Sequence, residues 1–502
     1  MSTKKDGVYE ALRDPEQPLT TCDILKEEIV HLKWRVLVFA CFLTFGSYYI
    51  YDFPGSIGTG EHHTIQSWFL SHGKSYNQED NQALYSVYSW PNTVLAVFGG
   101  LLIDKFLGLR KAMTLFVSLV FLGSVIFFLG VLSKTYPLLL LGRLVFGLGG
   151  ESLSVAQSAF VARWFKEGRG MALAFGITIS FARVGSSFNF LFSPTIANKD
   201  GIVTSTLFGC IACGISLISC AALVALDIYG AKKGVVPQES KETGEPFKLS
   251  QIKDMPVLFW LASLVCVSVY CAIFPLIGVA KNFFQVKYGL SDDTASSYVS
   301  VYQFVCAGCS PVSGGIVDSV GRFSIWMMVA GAGFTAIHLI FIVASPPPWI
   351  MMAIMGIVYS VLVSSLWPAV PYVVQGDLVG LAYGIMTAMQ NSGLATWPLV
   401  AGAILDKYTP PSVNKTLNAT DIPKLWMILK DDDDGKKATL PTEEGYKYTE
   451  LFFMATAAAG FVVACILFLV DRRGDGVLGA SPARREQIKA DKQALLVTGD
   501  VN

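Results

Sequence analysis

Twelve long apolar runs constrain this chain more than any other feature; they fall at about 35–53, 81–104, 112–132, 135–163, 169–195, 203–228, 255–281, 292–318, 323–345, 348–374, 377–405 and 450–471. A bilayer core of ~30 Å is crossed by about 20 apolar residues in helical form, because lipid offers no partner to an unpaired backbone group. Only 15% of the residues are charged, where soluble proteins carry ~25%. Disordered, collagenous and ordinary soluble chains are therefore excluded. The expected fold is an all-α membrane protein with twelve transmembrane helices.

Charge sets the orientation. With the N-terminus in the cytosol, Lys105, Arg110, Lys111, Arg163, Lys166, Arg169, Arg322, Arg472 and Arg473 all fall on the cytosolic side, as the positive-inside rule requires. The lysine-bearing loop 406–449 lies on the opposite, lumenal side, and loops this long translocate regardless of charge. The first 30 residues lack an apolar core before a small-residue cleavage site, so the first span is expected to act as signal anchor. The chain then divides into a cytosolic tail (1–34), a six-helix half (35–228), a cytosolic linker (229–254), a second six-helix half (255–471) and a cytosolic tail (472–502).

The two halves echo each other. Gly100-Leu-Leu-Ile-Asp104-Lys105 recurs as Gly314-Gly-Ile-Val-Asp318 at an offset of 214, and Ala174-Phe-Gly176-Ile177 recurs as Ala382-Tyr-Gly384-Ile385 at an offset of 208. Internal duplication of this kind is the mark of transporters, whose sites lie near the midplane between repeats.

Gly100, Asp104, Lys105 and Arg110, repeated as Gly314, Asp318 and Arg322, resemble the loop motif of the major facilitator superfamily. Arg143 followed by Gly147, Gly149 and Gly150 resembles its fourth-helix motif. The resemblance spans nearly the whole chain and implies two pseudo-symmetric halves working by alternating access. The loop motif then reads as a gate, in which a carboxylate meets a helix N-terminus or a cytosolic Arg. Further strings resemble the branch of lysosomal dipeptide uniporters: Tyr88-Ser-Trp-Pro-Asn92, Gly149-Gly-Glu-Ser-Leu153, Ala182-Arg-Val-Gly-Ser186, Phe274-Pro275 with Gly278 and Lys281, and Leu366-Trp-Pro368. That likeness implies passive export of dipeptides and an accessory subunit, a glycosylated lysosomal membrane protein.

Two charges fall deep inside spans. Glu151 lies about 16 residues into the fourth run and Arg183 about 14 into the fifth, which at ~1.5 Å per residue puts both near mid-membrane. Each costs on the order of 2.5–3.5 kcal/mol or more there, so the default reading is a substrate-lined cavity, with a structural ion pair as the alternative. A zwitterionic peptide needs an anion for its ammonium and a cation for its carboxylate. Glu151 suits the first role, and Arg183 or Lys281 the second. Tyr48, Tyr88, Tyr270, Tyr302 and Trp367 fall on the first, second, seventh, eighth and tenth spans, which the resemblance implies line the cavity, and Gln390 and Asn391 are candidate partners of the peptide amide. Trp367 is favoured because Pro368 is expected to break the helix beside it. Asp52, before Pro54, reads as an interfacial residue.

Other chemistry is missing. The five histidines form no metal-spaced pair on a span, Cys306-x-x-Cys309 lies in an apolar run, and no Gly-Lys-Ser/Thr phosphate loop occurs. Neither an enzyme nor a resident cofactor is expected, and ATP-driven transport is disfavoured. Lys+Arg and Asp+Glu both total 38, so nothing points to nucleic acid. The first span also lacks the Glu-x-x-Glu-Arg string of proton-coupled peptide transporters, so the resemblance implies facilitated diffusion rather than proton symport. Rival readings are an organic-anion or other small-solute carrier using Arg183 alone, and a non-transporting scaffold or receptor with the same fold. Asp491-Lys-Gln-Ala-Leu495-Leu496 reads as an acidic dileucine signal for clathrin adaptors and lysosomal delivery, with the plasma membrane or another acidic organelle as alternative. Asn414 and Asn418 head glycosylation sequons in the lumenal loop.

Overall fold

The computed structural model describes residues 21–60, 62–101, 107–165, 171–236, 252–253, 255–374, 378–410, 439–485 and 487–488, and these contain helices and no strand. Helices α1 (Thr21–Leu43) and α2 (Phe45–Tyr51), followed by a π turn at Pro54–Gly58, form the first column, and the short α3 (Ile65–Ser71) follows it. The remaining N-terminal columns are α4 (Gln78–Leu101), α5 (Leu109–Ser133), α6 (Tyr136–Phe165), α7 (Met171–Asp200) and α8 (Ile202–Lys232). The second half holds α9 (Val257–Tyr288), α10 (Asp292–Val320), α11 (Phe323–Val343), α12 (Pro348–Val373), α13 (Val379–Lys407) and α14 (Glu443–Arg473).

Among the described residues these make twelve helical columns, eight of them apolar and long enough to cross a membrane on composition alone. The other four are α4, α7, α10 and α13. These are the columns that pack across the divide, α4 on α13 and α7 on α10. A helix with protein and a polar cavity on its flanks needs less apolar surface than one facing lipid. Outward faces carry the exposed aliphatics, such as Ile218, Val343, Val462 and Leu469.

Each half has its own core. One cluster runs from Leu32 to Val236; the other takes its members from Met255 to Leu478, with Phe190 of α7 reaching into it. The first column breaks at Thr44, and polar neighbours take up the loosened backbone there: Gly46 N donates to Ser216 Oγ (3.0 Å), and Thr44 Oγ1 donates to the Gln157 side chain (3.3 Å).

Local details differ from the sequence reading. The helix α12 runs unbroken through Pro368 and Pro371, and α4 through Pro91. Residues 474–485, within the expected tail 472–502, pack under the second half: Leu478 and Arg485 are buried, and Arg322 N donates to Ala480 O (3.1 Å). Asp471 holds that turn by accepting from Leu478 N and Gly479 N at 3.0 and 2.7 Å. Most of the 229–254 linker lies outside the described residues.

Candidate functional site

Between the halves lies a cavity of about 240 Å³, room for on the order of eight waters. Its N-terminal wall includes Tyr48, Asp52, Tyr88, Glu151 and Arg183; its C-terminal wall includes Tyr270, Gln303, Tyr359, Trp367 and Gln390. Every formal charge on the wall comes from the first half.

Helix α6 delivers Glu151 through its glycines. A Cβ on Gly147 would lie 2.4 Å from Tyr88 O, so only glycine lets α4 and α6 come this close. Asn92 seals the contact, donating to both Tyr88 O and Gly147 O at 3.1 Å. Arg143, one turn earlier on α6, donates to Leu84 O (2.9 Å), Ile50 O (3.0 Å) and Tyr51 O (3.0 Å). The guanidinium thereby satisfies the last carbonyls of α2 and fixes the rings of Tyr51 and Tyr88, 5.6 Å from each. This gives the fourth-helix Arg a physical role, as the buried clamp that positions the aromatic wall.

Glu151 and Arg183 share the cavity, yet no ion pair within 4.0 Å joins them among the described residues. Arg183 instead donates to Tyr359 Oη (2.9 Å), with its guanidinium 5.2 Å from that ring and 5.8 Å from Tyr48. Tyr359 in turn donates to Tyr270 Oη (3.4 Å), which also accepts from Trp367 Nε1 (3.0 Å). A polar relay thus runs from the cation of one half to the indole of the other.

Tyr359 and Gln303 went unnoticed in the sequence. The repeat did hold the signal for Tyr359, since an offset of 209 sets it opposite Gly150, beside Glu151 and Ser360. Asp52 is corrected from an interfacial residue to a cavity wall, buried, with Oδ2 unpartnered. The reason is that the first column continues past it to Gly58. Trp367 does line the cavity, but its carbonyl is freed by Pro371, four residues on, rather than by Pro368, and it accepts from Tyr383 Oη (3.0 Å).

Other candidates lie elsewhere. Asn391 sits behind the wall, its amide bonded to Thr387 O (3.0 Å), and Tyr302 is buried against Tyr359 with ring centroids 5.7 Å apart. Lys281 is 1% exposed toward the C-terminal end of α9, its ammonium 2.9 Å from Asp292 and away from the cavity. Of the loop-motif residues, Arg110 meets Asp227 at 2.6 Å, where Arg163 (3.2 Å) and Trp164 Nε1 (2.8 Å) converge on the same carboxylate. Gly100 falls near the end of α4, Gly314 and the exposed Asp318 lie on α10, and Arg322 precedes α11 with φ +57°. Asp104, Lys105, Asn414, Asn418, Asp491, Leu495 and Leu496 lie outside the described residues.

At the end that the orientation read from charge would make lumenal, hydrogen bonds cross between the halves. Gln82 Nε2 donates to Gly278 O (3.3 Å), Asn198 Nδ2 to Asp293 Oδ1 (3.0 Å), Ser296 Oγ to Phe190 O (2.5 Å), and Asn282 to Thr59, all between halves. On the opposite side of Arg183, the described residues contribute one such bond, from Ser180 Oγ to Ala307 O (3.0 Å).

Twelve columns in two halves around a central charged cavity define a membrane transporter fold, and residues 37–398 match the Major Facilitator Superfamily. The chain belongs to that family. Among its relatives, the lysosomal dipeptide transporter MFSD1 of Homo sapiens is 36% identical over 464 residues, covering 90% of both chains. The Bos taurus protein of the same name is 36% identical over 495 residues, covering 96% of this chain and 92% of its own. Two solved structures share the fold alone. The nucleoside transporter NupG has a TM-score of 0.59 at 14% identity, covering 87% of this chain and 99% of its own. The peptide transporter POT in complex with sulfate has 0.61 at 12%, covering 89% and 95%.

Proposed function

We propose that this chain carries dipeptides across the lysosomal membrane by alternating-access facilitated diffusion. The observation that carries the reading is a cavity in which a carboxylate and a guanidinium face the same space without neutralising each other. Glu151 takes the peptide ammonium and Arg183 the carboxylate, each through a charge-assisted hydrogen bond. Gln303, Thr387 and Gln390 serve the amide, and Tyr48, Tyr88, Phe274 and Trp367 supply apolar walls tolerant of different side chains. Relatives at 36% identity bear the name of lysosomal dipeptide transporters, which supports both the substrate class and the address.

Around this core stand readings that rest on sequence: glycans at Asn414 and Asn418, clathrin adaptors at the tail dileucine, a glycosylated accessory subunit, and lipid against the outer helix faces. The decisive experiment is counterflow in proteoliposomes holding the full chain. Labelled dipeptide should accumulate against a preloaded dipeptide with no pH gradient. Accumulation that vanishes when a proton gradient is collapsed refutes uniport, and no counterflow with any dipeptide refutes the substrate class.

A further inference from the structure

The lumenal seal contains a charged part that the substrate cavity does not use. Asp406, at the end of α13 in the second half, accepts from Gln78 N at Oδ1 and from Glu79 N at Oδ2, both at 2.8 Å. Those donors open α4, in the first half. The first N–H groups of a helix have no intrahelical partner and sit at the positive end of its dipole. A carboxylate with one oxygen on each satisfies both.

Gly402 makes the approach possible. It lies one turn before Asp406 on the same face of α13, and a Cβ there would fall 2.8 Å from Glu79 Cα and 3.1 Å from Gln78 O. Beneath the contact, the Thr59 hydroxyl donates to Gln78 Oε1 (3.2 Å), and Asn282 of α9 donates to Thr59, so the first turn of α4 also gathers the first column and α9.

The internal repeat supplies an independent observation. Shifting Asp406 back by 208 gives Asn198, and shifting Glu79 forward by 214 gives Asp293. Asn198 and Asp293 are themselves hydrogen-bonded, from the end of α7 to the start of α10. The same joint therefore occurs twice, related by the pseudo-twofold: the end of one crossing helix on the start of its partner in the other half. In the α4–α13 copy, a full carboxylate grips two backbone donors.

We propose that Asp406, seated by Gly402, is the lumenal latch of the transport cycle, a positioning residue that holds the lumen-closed state, with Asn198–Asp293 as its weaker copy. The proposal rests on the reading above only in that the carrier alternates between faces. It does not depend on the substrate. Its bonds join separate halves, so they break each time the lumenal side opens. Hydrogen bonds to a charged group shift such an equilibrium by roughly 10- to 100-fold.

The test uses the full chain in lipid nanodiscs, carrying Thr59→Cys, a position 2% exposed beneath the latch. The readout is its reaction rate with a membrane-impermeant thiol reagent, against the same chain without that cysteine. Asp406→Asn keeps the shape but puts an amide donor against a backbone donor, and should raise the rate at least about 10-fold. Gly402→Val, which wedges the helices apart with Asp406 intact, should do the same. Glu79→Ala keeps the backbone N–H and should not raise it. In proteoliposomes, Asp406→Asn should lower the lumenal half-saturation and raise the cytosolic one, a split that general destabilisation does not produce. Unchanged labelling in both Asp406→Asn and Gly402→Val overturns the latch, even if dipeptide counterflow is normal. Raised labelling with no dipeptide counterflow leaves the latch standing and removes the substrate reading instead.

Discussion

Glu151→Gln isolates the charge on which the substrate reading depends. The change is isosteric, so the wall of the ~240 Å³ cavity keeps its shape. It breaks no direct ion pair either, because Arg183 donates to Tyr359 at 2.9 Å rather than to Glu151. What is lost is one hydrogen bond from a charged donor to a charged acceptor, about 1.5–3 kcal/mol, or roughly 10- to 150-fold in affinity. The assay is ligand-induced thermal stabilisation of the purified chain, titrated with a dipeptide and with its N-acetylated form. Wild type should bind the free dipeptide more tightly than the acetylated one, by about that factor. Glu151→Gln should erase the difference, weakening the free peptide while leaving the acetylated peptide nearly unchanged. Equal weakening of both ligands would refute the ammonium assignment, as would an unaltered preference for the free peptide.

Further predictions follow from contacts outside this pair. Arg143→Met removes the buried donor to the carbonyls of Ile50, Tyr51 and Leu84, and should cost about 1–3 kcal/mol of stability, read as a drop in melting temperature. Tyr359→Phe removes the hydroxyl between Arg183 and Tyr270; a loss of about 1 kcal/mol in dipeptide affinity is expected, measured by the same titration, with melting little changed. Asp227→Asn weakens the acceptor shared by Arg110, Arg163 and Trp164. It should lower melting by a few degrees without altering which ligands stabilise the protein. Leu478→Ala empties a fully buried position beneath the second half and should cost about 2–5 kcal/mol, which thermal unfolding will register.

Much of the architecture was legible in order along the chain. Apolar run lengths marked the columns, and the repeats at 208 and 214 residues marked the halves. Glu151 and Arg183 stood out because a charge inside an apolar run has no cheap explanation. Residues whose meaning depends on a neighbour in the other half were harder to read. Tyr359 is one tyrosine among 19 until Arg183 is seen to donate to it. Lys281 fitted the pattern of a ligand, yet its ammonium is spent on Asp292 across the α9–α10 turn. Asp52 reads as interfacial because Pro54 follows it in sequence, whereas the first column continues to Gly58.

The four least apolar columns show where the boundary lies. From the sequence, α4, α7, α10 and α13 differ from the rest only in carrying more polar residues; the tertiary structure reveals that these are the helices joining the halves. Sequence by itself determined that the chain lives in a membrane, that it is duplicated, and that Glu151 and Arg183 fall deep inside its apolar runs. Those are one-dimensional properties, set by transfer free energy summed along a helix. Tertiary structure alone decided that Glu151 and Arg183 stay apart, that Arg143 clamps backbone instead of ligand, and that Asp406 caps a helix of the opposite half. A hydrogen bond depends on where two atoms lie to within a few tenths of an ångström, and for residues hundreds of positions apart only the packing of the helices fixes that.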